Sequence, residues 1–164
     1  MSLEIRPAEP SDFERVGELT VAAYAPHTAG PTDFYLERLR DVATRAREAE
    51  VWVAEIDDEV VGAVTWTPLG SPWREIAEEG EAEFRMLAVD PAAQGQGVGR
   101  ALVTHLIELA RADANHAIVM SSEAGMATAH RLYESMGFRR TPGRDWHPLP
   151  HIDLITYELP LEDS

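Results

Sequence analysis

Six residues, Gln94-Gly95-Gln96-Gly97-Val98-Gly99, stand where an apolar run meets a helix-patterned segment. Glycines just ahead of a helix let the backbone approach a ligand closely and leave several N–H groups free. With the helix dipole behind them, those groups favour an anion, typically a phosphate. Two common nucleotide loops fail here on named residues. A Walker loop ends in Gly-Lys-Ser/Thr, and no lysine follows these glycines; the dinucleotide fingerprint counted from Gly95 needs glycine where the chain has Arg100. Metal chemistry finds no better support. The chain has no cysteine, and Pro148 and Pro150 forbid the helix that would align His147 with His151. The readings of the loop that remain are a glycine-rich turn without a ligand and a phosphate cradle of another class.

The elements that must position this loop follow from local pattern. Phe84 to Val89 is apolar enough for a buried strand, and Asp90-Pro91 ends it, since proline has no N–H to continue a ladder. Val98, Leu102, Val103, Leu106, Leu109 and Ala110 recur at helical spacing. Upstream, Leu3 to Arg6 reads as a short strand, and Ser11 or Asp12 can cap a helix that carries Phe13, Val16, Leu19, Ala22 and Ala23 on one face. Tyr24 to Asp33 is a loop by its prolines and glycine, and Asp33 to Glu48 reads as one helix. Val51 to Ile56 and Val60 to Thr67 form a hairpin over an acidic turn, and Pro68 to Gly80 is a polar connection. Ala117 to Met120 suits a buried strand, Ala127 to Met136 a short helix ended by Gly137, and Ile152 to Leu159 a closing strand. The predicted order is strand, two helices, three strands, central helix, strand, helix, strand. It implies a mixed α/β sheet with helices on both faces.

Gln94, Gly97 and Gly99 fit the pattern Q/R-x-x-G-x-G/A, which resembles the pyrophosphate loop of the GNAT superfamily of acyl-CoA-dependent N-acyltransferases. Ala129-x-x-Leu132-Tyr133-x-x-x-Gly137-Phe138 is similar to a segment found late in many GNAT domains. Two motifs in the right order make the resemblance specific over roughly 83–139. It implies the GNAT fold, a mostly antiparallel sheet with two splayed parallel central strands, in a single domain over 1–164. It also implies direct transfer of an acetyl group from acetyl-CoA to an amine, with no metal. The pyrophosphate would rest on the amides of Gln94, Gly95, Gln96, Gly97, Val98, Gly99 and Arg100. The pantetheine arm would pair with Leu87 and Val89, and a strand N–H near Leu87 or Ala88 would meet the oxyanion. Tyr133 would protonate the departing thiolate, unless it is a core tyrosine packed against Phe138. Glu83 is the candidate base, with Glu81 and Glu79 close enough to compete. One position departs from the family: Met126 stands where many members carry an asparagine that contacts the CoA arm, and Ser121, Ser122 or Thr128 are the hydroxyls nearby.

Composition narrows the partners. The formal charge is -15, from 14 basic and 29 acidic residues, which argues against nucleic-acid backbone as a ligand and favours approach of a cationic amine. No signal peptide or membrane-length apolar run is present, so the sequence reads as a cytoplasmic protein without membrane association. The resemblance implies an acceptor pocket built from Tyr24–Tyr35, Trp66, Trp73 and Arg139–His151. There Tyr24, Tyr35, Trp73 and Trp146 offer faces to a cation, Asp33 or Asp145 offers a carboxylate, and His27, His130 and His147 lie within reach. The expected acceptor is a primary amine of a small molecule. The alternatives are an N-terminus or lysine of a protein, and a non-catalytic acyl-CoA-binding module. Members of the superfamily that it resembles are often dimers, which leaves a homodimer open, and no sequence feature decides the oligomeric state.

Overall fold

The computed structural model describes residues 2–27, 34–150 and 152–161. Asp33, Gly30 and His151, and the side chain of His27, lie outside the described part. The chain begins with β1 (Leu3–Pro7) and α1 (Phe13–Tyr24), then α2 (Phe34–Arg40) and α3 (Val42–Glu48). β2 (Glu50–Ile56), β3 (Glu59–Trp66) and β4 (Glu81–Val89) follow. After the glycine loop come α4 (Val98–Ala112), β5 (Ala117–Glu123), α5 (Ala127–Ser135), β6 (Arg139–Arg140), β7 (Trp146–Leu149) and β8 (Ile152–Pro160). The strands lie in the order β1-β2-β3-β4-β5-β8-β6, and β7 pairs with β8 beside β6. Among the described residues the one parallel pair is β4 with β5. The expected mixed sheet with helices on both faces is therefore present.

Strand alternation sends neighbouring residues of β3 to opposite faces, and a bulge that leaves Val61 without a partner on β2 shifts the alternation by one residue. Val60 and Ala63 join Val16 and Leu19 of α1 and Val42 of α3 in one core, while Val61 and Val64 join Leu102, Val103 and Leu106 of α4 in the other. The β2–β3 hairpin turns on Asp57 and Asp58, both at positive φ (51° and 67°), the geometry of a type I′ turn, whose twist matches that of paired strands.

The structure corrects two expectations. The single helix over 33–48 is broken at Asp41, whose carboxylate accepts the N–H of Thr44 at 3.1 Å and caps α3 as a separate helix. Arg45 closes the break from the other side by donating to the carbonyls of Arg38 and Leu39. Before β8, two short strands were not foreseen. β6 has two residues, and β7 contains Pro148, which an edge strand tolerates because its outer N–H positions need no partner. No helix among the described residues is long and apolar enough to cross a membrane.

Candidate active site

β4 and β5 are joined only through Glu81, Ala82 and Glu83, paired with Ala117, Ile118 and Val119. Beyond Glu83 the strands part. Met86, at φ 59°, marks the bend in β4, and the pairing with β3 skips a step between Ala63 and Thr65. Bulges of this kind turn a strand and interrupt its ladder. From Phe84 to Val89 the edge of β4 that faces β5 has no strand beside it, while its other edge stays bonded to β3.

The open edge runs into the glycine loop. Asp90 Oδ1 accepts the Ala92 N–H at 2.9 Å and sets a single turn over Pro91–Ala93. Gly95 and Gly97 then take φ of 84° and 80°. An added Cβ at either would meet nothing within 4 Å, so glycine is selected there by backbone angle rather than by space. Gly99 is the reverse case, because a Cβ would stand 3.0 Å from Leu132 Cδ2. Gly97 begins α4 with no side-chain cap, which leaves the first-turn N–H groups directed at whatever occupies the cleft. The cleft, about 570 Å³, is lined by Leu87, Ala88, Val89, Gln94, Gly95, Gly97, Val98, Gly99 and Arg100. Of the residues expected to hold the acyl donor, Gln96 alone is not in its lining. Ala22 and Ala23 of α1, Pro91 and Ala93, and Gly125–Ala129, leading into α5, with Leu132 of that helix complete it. Met126 is among them, at the position where the asparagine is missing. Ser121 and Ser122 point elsewhere: Ser121 Oγ accepts the Trp146 indole N–H, and Ser122 Oγ lies 3.0 Å from His130 Nε2.

Tyr133 sits near the end of α5 and is 3 % exposed. Its ring meets those of Phe84, Phe138 and Tyr157 at centroid distances of 6.0, 5.7 and 5.9 Å. Burial pushes its phenol well above the ordinary value, so it is a proton carrier at neutral pH. Among the described residues it makes no hydrogen bond of its own, and its proton is uncommitted.

Glu83 is fully buried. Its Oε1 accepts three consecutive backbone N–H groups, from Glu75, Ile76 and Ala77, each at 3.0 Å, while Oε2 has no partner. Its two competitors are occupied otherwise. Glu79 is exposed. Glu81 is bonded by Arg144 at 2.9 and 3.1 Å, and although burial opposes it, Arg144 and the Glu78 N–H hold that carboxyl below the usual range. Arg144 also donates to the carbonyl of Ile76 at 2.6 Å, so one guanidinium ties the segment around Glu83 to the sheet. The turn of N–H groups at Glu75–Ala77 left no mark in sequence beyond a polar connection.

Of the aromatic faces proposed for a cationic acceptor, that of Trp73 is occupied from within. Trp73 is buried, its N–H donates to Glu48, and Arg38 stacks 4.6 Å from its ring centre. Asp145 is committed to Arg140 and to Thr156, and His147 pairs with Asp153 at 2.7 Å.

A sequence model described as the acetyltransferase (GNAT) family matches residues 13–138. The chain belongs to the GNAT family. N-acetylaspartate synthetase of Rattus norvegicus is 34% identical over 107 residues, which cover 65% of this chain and 33% of that protein. Human N-acetyltransferase 8B is 32% identical over 114 residues, 66% of this chain and 49% of that one. The chain thus spans between a third and a half of the length of these relatives. Two solved GNAT-like structures match almost end to end. Ribosomal-protein-alanine N-acetyltransferase of Brucella melitensis has a TM-score of 0.69 at 27% identity, covering 96% of this chain and 99% of that one. The yncA protein of Salmonella typhimurium, solved with its cofactor acetyl-CoA, has a TM-score of 0.71 at 27% identity, covering 100% and 96%.

Proposed function

We propose that this chain, acting as one domain over residues 1–164 in the cytoplasm, moves an acetyl group from acetyl-CoA directly to the primary amine of a small molecule. The observation that carries this reading is the unpaired inner edge of β4, which leads into an uncapped helix start, with the buried Tyr133 ring packed against Phe84 of the same strand. An extended arm can bond that edge as a strand would, through Leu87 and Val89, while Gly97 to Arg100 offer N–H groups to its diphosphate.

In this reading Glu83 takes the ammonium proton, directly or through one water, and its anchored Oε1 keeps Oε2 in place. The freed amine attacks the thioester carbonyl. A backbone N–H near Leu87 or Ala88 receives the negative charge on oxygen, and the carbon–sulfur bond breaks as Tyr133 gives its proton to sulfur; the second proton, shed by the nitrogen as it becomes an amide, restores the phenol. A protein N-terminus is the second reading, favoured by the full-length likeness to the Brucella enzyme, which by its name acts on an alanine of a ribosomal protein. The shorter match to N-acetylaspartate synthetase, named for an acetylated amino acid, supports the small-molecule reading.

The test is thiol release from acetyl-CoA with polyamines, amino acids, aminoglycosides and short basic peptides, against a no-acceptor blank. Release with free amines, lowered about 10²-fold or more in Tyr133→Phe, is expected. Binding of acetyl-CoA without release would favour an acyl-CoA-binding module, and a Tyr133→Phe rate equal to wild type would remove Tyr133 from the reaction.

A further inference from the structure

All 14 basic residues of this chain are arginines, set against 29 acidic ones, so a local gathering of cations needs a cause. Three surround one indole. The guanidinium carbons of Arg38, Arg85 and Arg45 lie 4.6, 5.6 and 5.9 Å from the Trp73 ring centre. Arg45 is 1% exposed, and no carboxylate lies within ion-pair distance of it among the described residues. Its donors reach Thr65 Oγ1 and the carbonyls of Arg38 and Leu39. A buried cation with only neutral acceptors is costly, and an anion brought beside it would be favoured. Arg85 has one acidic partner, Glu75, at 2.9 Å. Burial, with Glu83 alongside, holds that carboxyl above its ordinary value against the pull of Arg85 and Arg38. One carboxylate thus stands against the three guanidinium groups around Trp73.

These cations adjoin the candidate base. Arg85 lies two residues beyond Glu83 on β4, on the same side of the strand. Glu75, the partner of Arg85, donates its backbone N–H to Glu83 Oε1 at 3.0 Å. The candidate base and the arginine group are thus neighbours.

We propose that the acceptor carries a carboxylate beside its amine, and that Arg85 and Arg38, with Arg45 behind them, hold that carboxylate. This rests on the acetyl-transfer reading and names the substrate class for the same site. A bare ammonium would be repelled here, whereas a carboxylate meets guanidinium forks suited to two parallel hydrogen bonds. The same positive charge lowers the pKa of the bound ammonium, which eases loss of its proton to Glu83.

The experiment compares matched acceptors on the purified full chain with acetyl-CoA: glycine with glycinamide, β-alanine with β-alaninamide, and glycylglycine with glycylglycinamide. The amides have the more readily deprotonated amines, so preference for the acids would run against intrinsic reactivity. We expect kcat/KM for the acids to exceed that for the amides by about tenfold or more, and Arg38→Gln or Arg85→Gln to raise KM for the acids about tenfold with little change for the amides. Arg38 is exposed, so its variant tests binding without disturbing the core. Transfer that proceeds equally well or better with the amides overturns the inference and leaves acetyl transfer standing. Calorimetric titration of the CoA-saturated protein with N-acetylglycine and N-acetylglycinamide asks the same question without turnover. Tighter binding of the acid, lost in Arg38→Gln, supports the carboxylate site, and equal binding overturns it whatever the turnover assay shows.

Discussion

The contact between β3 and the start of α4 sets the position of the anion-facing helix end, and Gly62→Ala probes it directly. A Cβ on Gly62 would lie 2.6 Å from Val98 Cγ1, 3.2 Å from Leu102 Cδ1 and 3.3 Å from the Ala88 carbonyl oxygen. Ordinary carbon contacts begin near 3.5 Å, so α4 must retreat by about 1 Å or Val98 must leave its rotamer. Overpacking of this kind costs about 1–3 kcal/mol, offset by up to ~1 kcal/mol because alanine restricts the unfolded chain more than glycine does. A net loss of about 1–2 kcal/mol lowers the melting temperature of a chain this size by about 2–8 °C. Val98 is the first residue of α4 and lines the cleft. Acetyl-CoA affinity, measured by calorimetry, should therefore fall severalfold alongside the thermal shift. Val98→Ala removes the atom that is struck, so the double variant should be more stable than the sum of the single changes predicts, with coupling of about 0.5–3 kcal/mol. A melting temperature within 1 °C of wild type, or strict additivity, would refute the claim that Val98 rests on Gly62.

Arg144→Gln should lower stability at neutral pH by about 1–3 kcal/mol, since it leaves the buried Glu81 carboxylate without its cation, the lower end reflecting the partial exposure of Arg144. Because the folded-state pKa of Glu81 lies below its unfolded value, that contribution is full above the unfolded pKa and fades as pH falls; urea unfolding should show the variant approaching wild type in acid. Burial raises the Tyr24 and Tyr133 phenols well above their usual value, and burial with the bond to Glu134 pushes Tyr157 up to about 12. The folded state then holds protons that the unfolded state releases near pH 10, so stability is intact below that pH and declines above it. Tyr157→Phe should flatten that alkaline decline in a series of melting curves. Asp58→Gly, at φ 67° on an exposed turn, should raise stability by about 0.5–1 kcal/mol, read as a melting temperature higher by about 1–4 °C.

The parts of this molecule that were legible in its sequence are those whose signal is local. Glycines at 95, 97 and 99 followed by a 3.6-residue apolar period specify a loop and a helix within one short stretch, and the structure keeps both. The β2–β3 hairpin and the Gly137 helix stop, at φ 98°, are equally local. Asp41 shows where local signal misleads. Apolar periodicity runs across it undisturbed, but its side chain prefers the free N–H of Thr44 to a place inside a helix. The choice among Glu79, Glu81 and Glu83 depends on three N–H groups from a patternless connection and on an arginine more than sixty residues away in the chain. Trp73 reads in sequence as an aromatic face on a polar loop. Only folding reveals that arginines from α2, α3 and β4 occupy its surroundings.

The parting of β4 from β5 gives the sheet two raw margins in its interior, joined at a three-pair hinge. Free strand margins at a sheet's rim invite other chains and lead to aggregation. Here the two margins face each other inside the sheet rather than at its rim. A guest that bonds along β4 becomes a temporary ninth member of the eight-stranded sheet. It splints the two leaves on either side of the hinge, so occupancy and rigidity rise together. The backbone amides of Leu87 and Val89 are then the places where hydrogen exchange should slow first as the cleft fills.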